Sequence, residues 1–138
     1  GLVDDGWNVW GRNNYLPLSE VIERVADLGG ISVPAHPFRE IGLGRQLEDL
    51  LDLGGISAVE THNGGNLDND NHLAIAAAEH MRLPGLGGSD CHKIDAVGRC
   101  ATEFAMPVGD MASFIVAVRG GACRGAYYPG YSLSLRSA

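Results

Sequence analysis

The residues best equipped for chemistry lie in three short stretches: Ala35-His36-Pro37-Phe38-Arg39, Glu60-Thr61-His62-Asn63, and Gly87-Gly88-Ser89-Asp90-Cys91-His92. Asp90 and His92 are the sharpest pair. In an extended segment, residues i and i+2 share a face, so a carboxylate oxygen and an imidazole nitrogen could both reach one metal ion at about 2.0–2.2 Å. The ordinary alternative is that Asp90 caps a turn and His92 lies on the surface. Cys91, pointing the other way, is expected to pack. His36 precedes a proline, which favours extended geometry and suits a ligand at a strand end; a satisfied core histidine is the plainer reading. Glu60 could be a ligand, a general base or the residue that orients a ligating histidine. His62 is either functional or a hydrogen-bonded rim histidine. Asn63 with Gly64-Gly65 could be a turn.

Arg39 and Arg99 flank these groups. A guanidinium binds phosphate through two parallel hydrogen bonds, and either arginine could instead form a structural ion pair. His72 and His80 are expected on the solvated face of a helix, and Glu103 at the rim or exposed. Nothing suggests a nucleophilic serine or cysteine: Cys91 has no oriented partner and no GxSxG occurs. A P-loop and a GxGxxG after a strand are also missing.

These groups need elements to hold them. Leu18, Val21, Ile22, Val25 and Leu28 follow helical spacing. Asp27-Leu-Gly-Gly-Ile-Ser32 recurs unchanged as Asp52-Leu-Gly-Gly-Ile-Ser57. Each copy reads as a helix end, closed by a left-handed glycine, running into a strand: Ile31 to Ala35 and Ile56 to Glu60. Leu47, Leu50 and Leu51 mark the helix before the second copy. A further helix is expected over Asp68 to Leu83, opened by an Asn/Asp cluster. Then come a strand over Pro84 to Gly88, a strand over Ala101 to Ala105, a helix over Asp110 to Arg119 and a last strand over Ala122 to Tyr128. Such alternation predicts an α/β domain of βα units on a parallel sheet. In that layout ligands gather at the C-terminal strand ends, which is where the three stretches fall.

The 138 residues fit one domain spanning 1–138, with 1–17 loop-like and 129–138 an irregular tail. Forty-five per cent hydrophobic content excludes a disordered tail. The net charge of −7 and the single lysine, Lys93, make nucleic acid an unlikely general electrostatic partner. No apolar run approaches the roughly 20 residues needed to span a bilayer, so no membrane partner is expected. Gly1 to Asp5 has no secretory character. Three cysteines without CxxC spacing fit a reducing, cytoplasmic compartment better than a disulfide framework.

Ala35-His36-Pro37, Val59-Glu60-Thr61-His62-Asn63-Gly64 and Gly87-Gly-Ser-Asp90-Cys-His92, followed by Val97-Gly98 and Thr102-Glu-Phe104, together resemble the PHP (polymerase and histidinol phosphatase) family, in particular its small predicted metal-dependent phosphoesterases. The resemblance runs from about Leu18 to about Arg124. It implies the second half of a distorted seven-stranded βα barrel whose rim carries divalent metal ions (zinc, manganese or iron). It places His36, Asp90 and His92 on the family's later ligand positions and Glu60 and Asn63 on a supporting one. The family also opens with an HxH motif and adds a further His and a bridging Glu. This chain has no HxH, and no histidine precedes His36. The expectation is therefore a partial metal site, in a fragment or in a domain that has lost its catalytic half. Exposed strand edges should favour a homodimer, or pairing with the missing N-terminal half.

The first function implied is hydrolysis of a small phosphorylated substrate, a phosphate mono- or diester, by metal-activated water, with Asp90 and Arg39 as the catalytic candidates and Arg39 holding the phosphate. An amidohydrolase-like metal hydrolase acting on a C–N bond is a second reading, and the Asp90-x-His92 pair argues against it. A non-catalytic PHP-like structural or binding module, free of metal, is the third.

Overall fold

The computed structural model describes residues 17–39 and 54–128. The expected N-terminal loop, the leucine-rich segment around residues 47–51 and the tail from Pro129 lie outside the described residues. Within them the order is α1 (Leu18–Asp27), β1 (Val59–Asn63), α2 (Asp68–Met81), β2 (Gly85–Gly88), a 3₁₀ turn (Ile94–Ala96), β3 (Cys100–Phe104), α3 (Met111–Arg119) and β4 (Cys123–Tyr127). Six of the expected elements stand within one or two residues of their predicted bounds.

The helix ends follow local chemistry. After α1, Gly29 adopts a left-handed φ of 75°, and the N–H of Gly30 returns to the Val25 carbonyl at 2.8 Å, as a left-handed terminating residue requires. The α3 start is a full capping box: the Asp110 carboxylate accepts from the Ser113 N–H at 2.8 Å and the Ser113 hydroxyl accepts from the Asp110 N–H at 3.1 Å. The Asn/Asp cluster before α2 behaves otherwise. Leu67 is the N-cap and no side chain caps the helix, which ends on a left-handed Arg82.

β1 and β2 run parallel, with an irregular register between Glu60 and His62. The segment expected as a strand, Ile31 to Ala35, is extended but not a regular strand. It lies along β1 through two hydrogen bonds, Ser57 N–H to the Ser32 carbonyl (2.9 Å) and Glu60 N–H to the Pro34 carbonyl (3.3 Å). Pro34 has no N–H to return, which stops a regular ladder. The expected strand at Ile56 to Glu60 begins three residues later for the same reason: its first residues face this irregular neighbour.

A single parallel sheet is not what forms. β3 and β4 pair antiparallel, Cys100 opposite Tyr127 and Phe104 opposite Cys123, and make a second two-stranded sheet. The connection through α3 returns the chain to the end of β3 that it left, where Ala105 N–H donates to the Ala122 carbonyl at 2.9 Å. A parallel arrangement would need the chain carried back to the start of β3. The two sheets meet at glycines. The Thr102 hydroxyl accepts from Gly87 N–H and donates to the Gly87 carbonyl, both at 3.0 Å. Any side chain at Gly87 would strike the Ala101 backbone.

The core is small and shared. Ile22 and Ile56 form one cluster; Val59, Ala74 and Ala78 form another; Phe38, Met81 and Leu83 pack against both. Phe104 meets Phe114 edge-on at 5.7 Å, joining β3 to α3. Arg119 reaches the Gly30 carbonyl at 3.0 Å and ties the end of α3 to the end of α1. No helix among the described residues is long and apolar enough to cross a membrane.

Candidate functional site

The ends of the 31–34 segment, β1 and β2 lie side by side, so the residues that follow each of them meet. The hub is Arg39. Its Nη2 donates to the Asp90 Oδ2 at 2.6 Å and to the Asn63 Oδ1 at 2.8 Å, and its Nε donates to the Asn66 Oδ1 at 2.8 Å. Charge-assisted bonds of this kind are the strong class. Asp90 answers electrostatically: the Arg39 hydrogen bond holds its carboxyl below the usual aspartate range, against burial, which pushes the other way, and the charges of Arg39 and His36 add to the lowering.

Glu60 forms the second node. Its Oε2 accepts from the backbone N–H of His36 at 2.6 Å and from Asn63 Nδ2 at 3.0 Å. Glu60 thus anchors the His36 backbone while Asn63 links Glu60 to Arg39. Glycines make the room. A Cβ on Gly65 would stand 2.9 Å from Asp90 Oδ2, one on Gly88 would stand 2.7 Å from Glu60 Oε1, and one on Gly64 would stand 2.8 Å from the Arg99 Cβ.

The backbone geometry expected of the ligand candidates is corrected. His36 has φ 33° and Asp90 φ 45°, so neither is extended. The following proline disfavours the right-handed helical region for His36, and the observed solution is left-handed instead. Aspartate tolerates that region better than most residues, and the turn lets the Asp90 carboxylate meet Arg39. Asp90 and His92 consequently do not share an extended face. His92 is exposed, with its Nδ1 3.2 Å from the Asp90 carbonyl. Cys91, expected to pack, is exposed as well. Among the described residues there is no group of three or more His, Cys, Asp or Glu side chains placed to hold a metal ion. His36, Asp90 and His92 have suitable donor atoms, but in this arrangement they do not complete a metal site.

His62 belongs to a different environment. Its ring meets Tyr127 edge-on at 4.9 Å. The Thr61 hydroxyl lies 3.2 Å from the Leu86 carbonyl and 2.9 Å from His62 Nδ1. Burial, then the nearby His72, lowers the His62 pKa. Arg99 sits on the turn before β3, its carbonyl accepting from Tyr128 N–H at 3.0 Å. Glu103 pairs with Arg124 at the surface (2.6 Å), and His72 and His80 are exposed on α2, as expected of a solvated face.

Sequence reasoning missed two members of the cluster. Asn66 is 5% exposed and Asn71 is fully buried. Both were hidden in a stretch of asparagines and aspartates that reads as a helix start. The legible signal was Asn71 itself: three and seven residues before the buried Ala74 and Ala78, it lies on the helix face that packs.

Comparison with known proteins bears on this region. Residues 68–123 match the PHP-associated family. An uncharacterized protein of Bacillus subtilis (strain 168), YqxK, is 29% identical over 104 residues, covering 71% of this chain and 26% of that protein. The chain thus spans about a quarter of the length of the relative it matches. No solved structure matches. The match over residues 68–123 supports a PHP-related C-terminal region in this chain.

Proposed function

We propose that this chain contributes part of the site of a metal-dependent phosphoesterase, one that hydrolyses a phosphate mono- or diester. The reading rests on one observation above the others: Asp90, Arg39, Glu60 and Asn63 arrive from separate segments and join in one hydrogen-bonded cluster beside His36. Carboxylate, imidazole and guanidinium at one strand-end rim is the inventory that phosphoester hydrolysis uses. The PHP relation of residues 68–123 supports it. Further ligands would come from outside the described residues, and the half-barrel likeness belongs to this proposal too. A bound divalent ion, zinc, manganese or iron, would supply an activated water and charge neutralisation at phosphorus. The residues of this chain would orient the phosphate and hold the His36 and Asp90 turns.

A non-catalytic PHP-like module is the second reading, and one observation favours it: Asp90 is already paired with the protein's own arginine at 2.6 Å. Metal content by mass spectrometry, on protein purified without a metal-affinity tag, separates the two. About one equivalent of bound metal in the wild type, lost in a His36→Ala/Asp90→Ala variant, supports the phosphoesterase, and turnover of model phosphate mono- and diesters then defines the substrate class. Metal-free protein after incubation with zinc and with manganese overturns it in favour of the binding module.

A further inference from the structure

We infer that Asn71, on the first turn of α2, is a positioning residue for the Arg39 guanidinium. This deepens the reading of the Arg39–Asp90 rim as the functional site and rests on it. Asn71 makes four hydrogen bonds from a fully buried side chain. Its Oδ1 accepts from Asn63 N–H at 3.1 Å and from Asn66 Nδ2 at 3.0 Å. Its Nδ2 donates to the Asn63 carbonyl at 3.1 Å and to the Tyr127 hydroxyl at 3.0 Å. The amide thus pairs with both backbone groups of Asn63, as a neighbouring strand would, and at the same time fixes the side chain of Asn66.

The orientation of Asn66 then follows. Because Asn66 Nδ2 is spent on Asn71, its Oδ1 faces the other way, and that is the atom that accepts from Arg39 Nε. Asn63 is set similarly. Its backbone is held by Asn71 and its Nδ2 by Glu60, so its Oδ1 faces Arg39 Nη2, and it also accepts from the Gly65 N–H at 2.8 Å. Arg39 is therefore presented to Asp90 by two amide oxygens, one set directly by the buried Asn71 amide through Asn66 and the other carried on the Asn63 backbone that Asn71 holds. Buried amides are costly unless satisfied, and an apolar residue at position 71 would pack on Ala74 and Ala78 without that cost. An amide with three of its four bonds on Asn63 and Asn66, the two amides that hold Arg39, fits a demand for precision at the rim better than a demand for core stability.

The test reads the Arg39 side chain directly. In the wild type at neutral pH, the Arg39 Nε–Hε group should give a resolved NMR cross-peak protected from water, assigned by its loss in Arg39→Lys. Asn71→Ala and, separately, Asn66→Ala should each accelerate Hε exchange at least about tenfold, the weight of one hydrogen bond to a charged group. The double variant should accelerate it no further than either single one, because both act on one path. Tyr127→Phe removes a bond on the far side of Asn71 while leaving a folded core; it should give a smaller acceleration of the same signal, and it serves if Asn71→Ala does not fold. An unchanged Arg39 signal in folded variants, or additive effects in the double variant, overturns the inference. Failure of the phosphoesterase reading is distinct: it appears as absence of metal in the wild type, whatever the Arg39 signal does.

Discussion

At the scale of single residues, the site is a contest for Asp90. The carboxylate is expected to serve a metal ion, yet it is bound to Arg39. Removing the arginine should release it. Arg39→Gln is expected to raise affinity for manganese or zinc by up to roughly fivefold, since partly exposed ion pairs contribute up to about 1 kcal/mol. Asp90→Asn should lower that affinity, and titration calorimetry on both variants checks the pair. His62 gives a pH prediction. Its pKa is lowered in the fold, so below the ordinary histidine value of about 6.5 the unfolded chain binds a proton that the folded chain resists. Stability should therefore fall as pH drops through that range and be recovered above it. Urea titrations at about pH 7.5 and about pH 5.5 should show the loss, and His62→Gln should reduce it.

At the scale of elements, the ends matter more than the middles. α3 is short and depends on its Asp110–Ser113 capping box. Hydrogen bonds from the Ser113 side chain and backbone hold the Asp110 carboxyl below its usual range. That contribution is in place above the ordinary aspartate pKa and disappears as pH falls through the lowered folded value. Asp110→Ala should lower the Tm at neutral pH and lose its effect in acid, which thermal unfolding at both pH values measures. Much of this layer was legible. Helical spacing in Leu18 to Leu28, glycine after α1 and Asp110 before α3 each state their element locally, because caps and amphipathic faces are properties of neighbours in the chain. The strand at Ile31 to Ala35 was not legible as it stands, since Pro34 breaks the ladder only relative to a partner strand. Asn71 was read as part of a helix start because its partners, Asn63 and Tyr127, lie eight residues before it and 56 after it.

At the scale of the whole molecule, the described strands make two sheets of two, a size that is marginal alone. β4 pairs only with β3 among the described residues. We expect the chain to complete its sheets with a second copy, so sedimentation should give twice the 14.6 kDa chain mass. A monomer at micromolar concentration would count against strand-edge pairing.

The sequence alone determined most of the described elements and their order, because periodicity and caps are local, and strand-end position singled out His36, Arg39, Glu60, Asn63 and Asp90 as candidates. It also carried the PHP likeness in its motifs. Tertiary structure decided the rest. The direction of β4, the left-handed turns at His36 and Asp90, the placing of His62 against Tyr127 and the burial of Asn66 and Asn71 all depend on which segments come to lie together. Hydrogen bonds such as Arg39 to Asp90, 51 residues apart, have no local signature, and they determine what those side chains are free to bind.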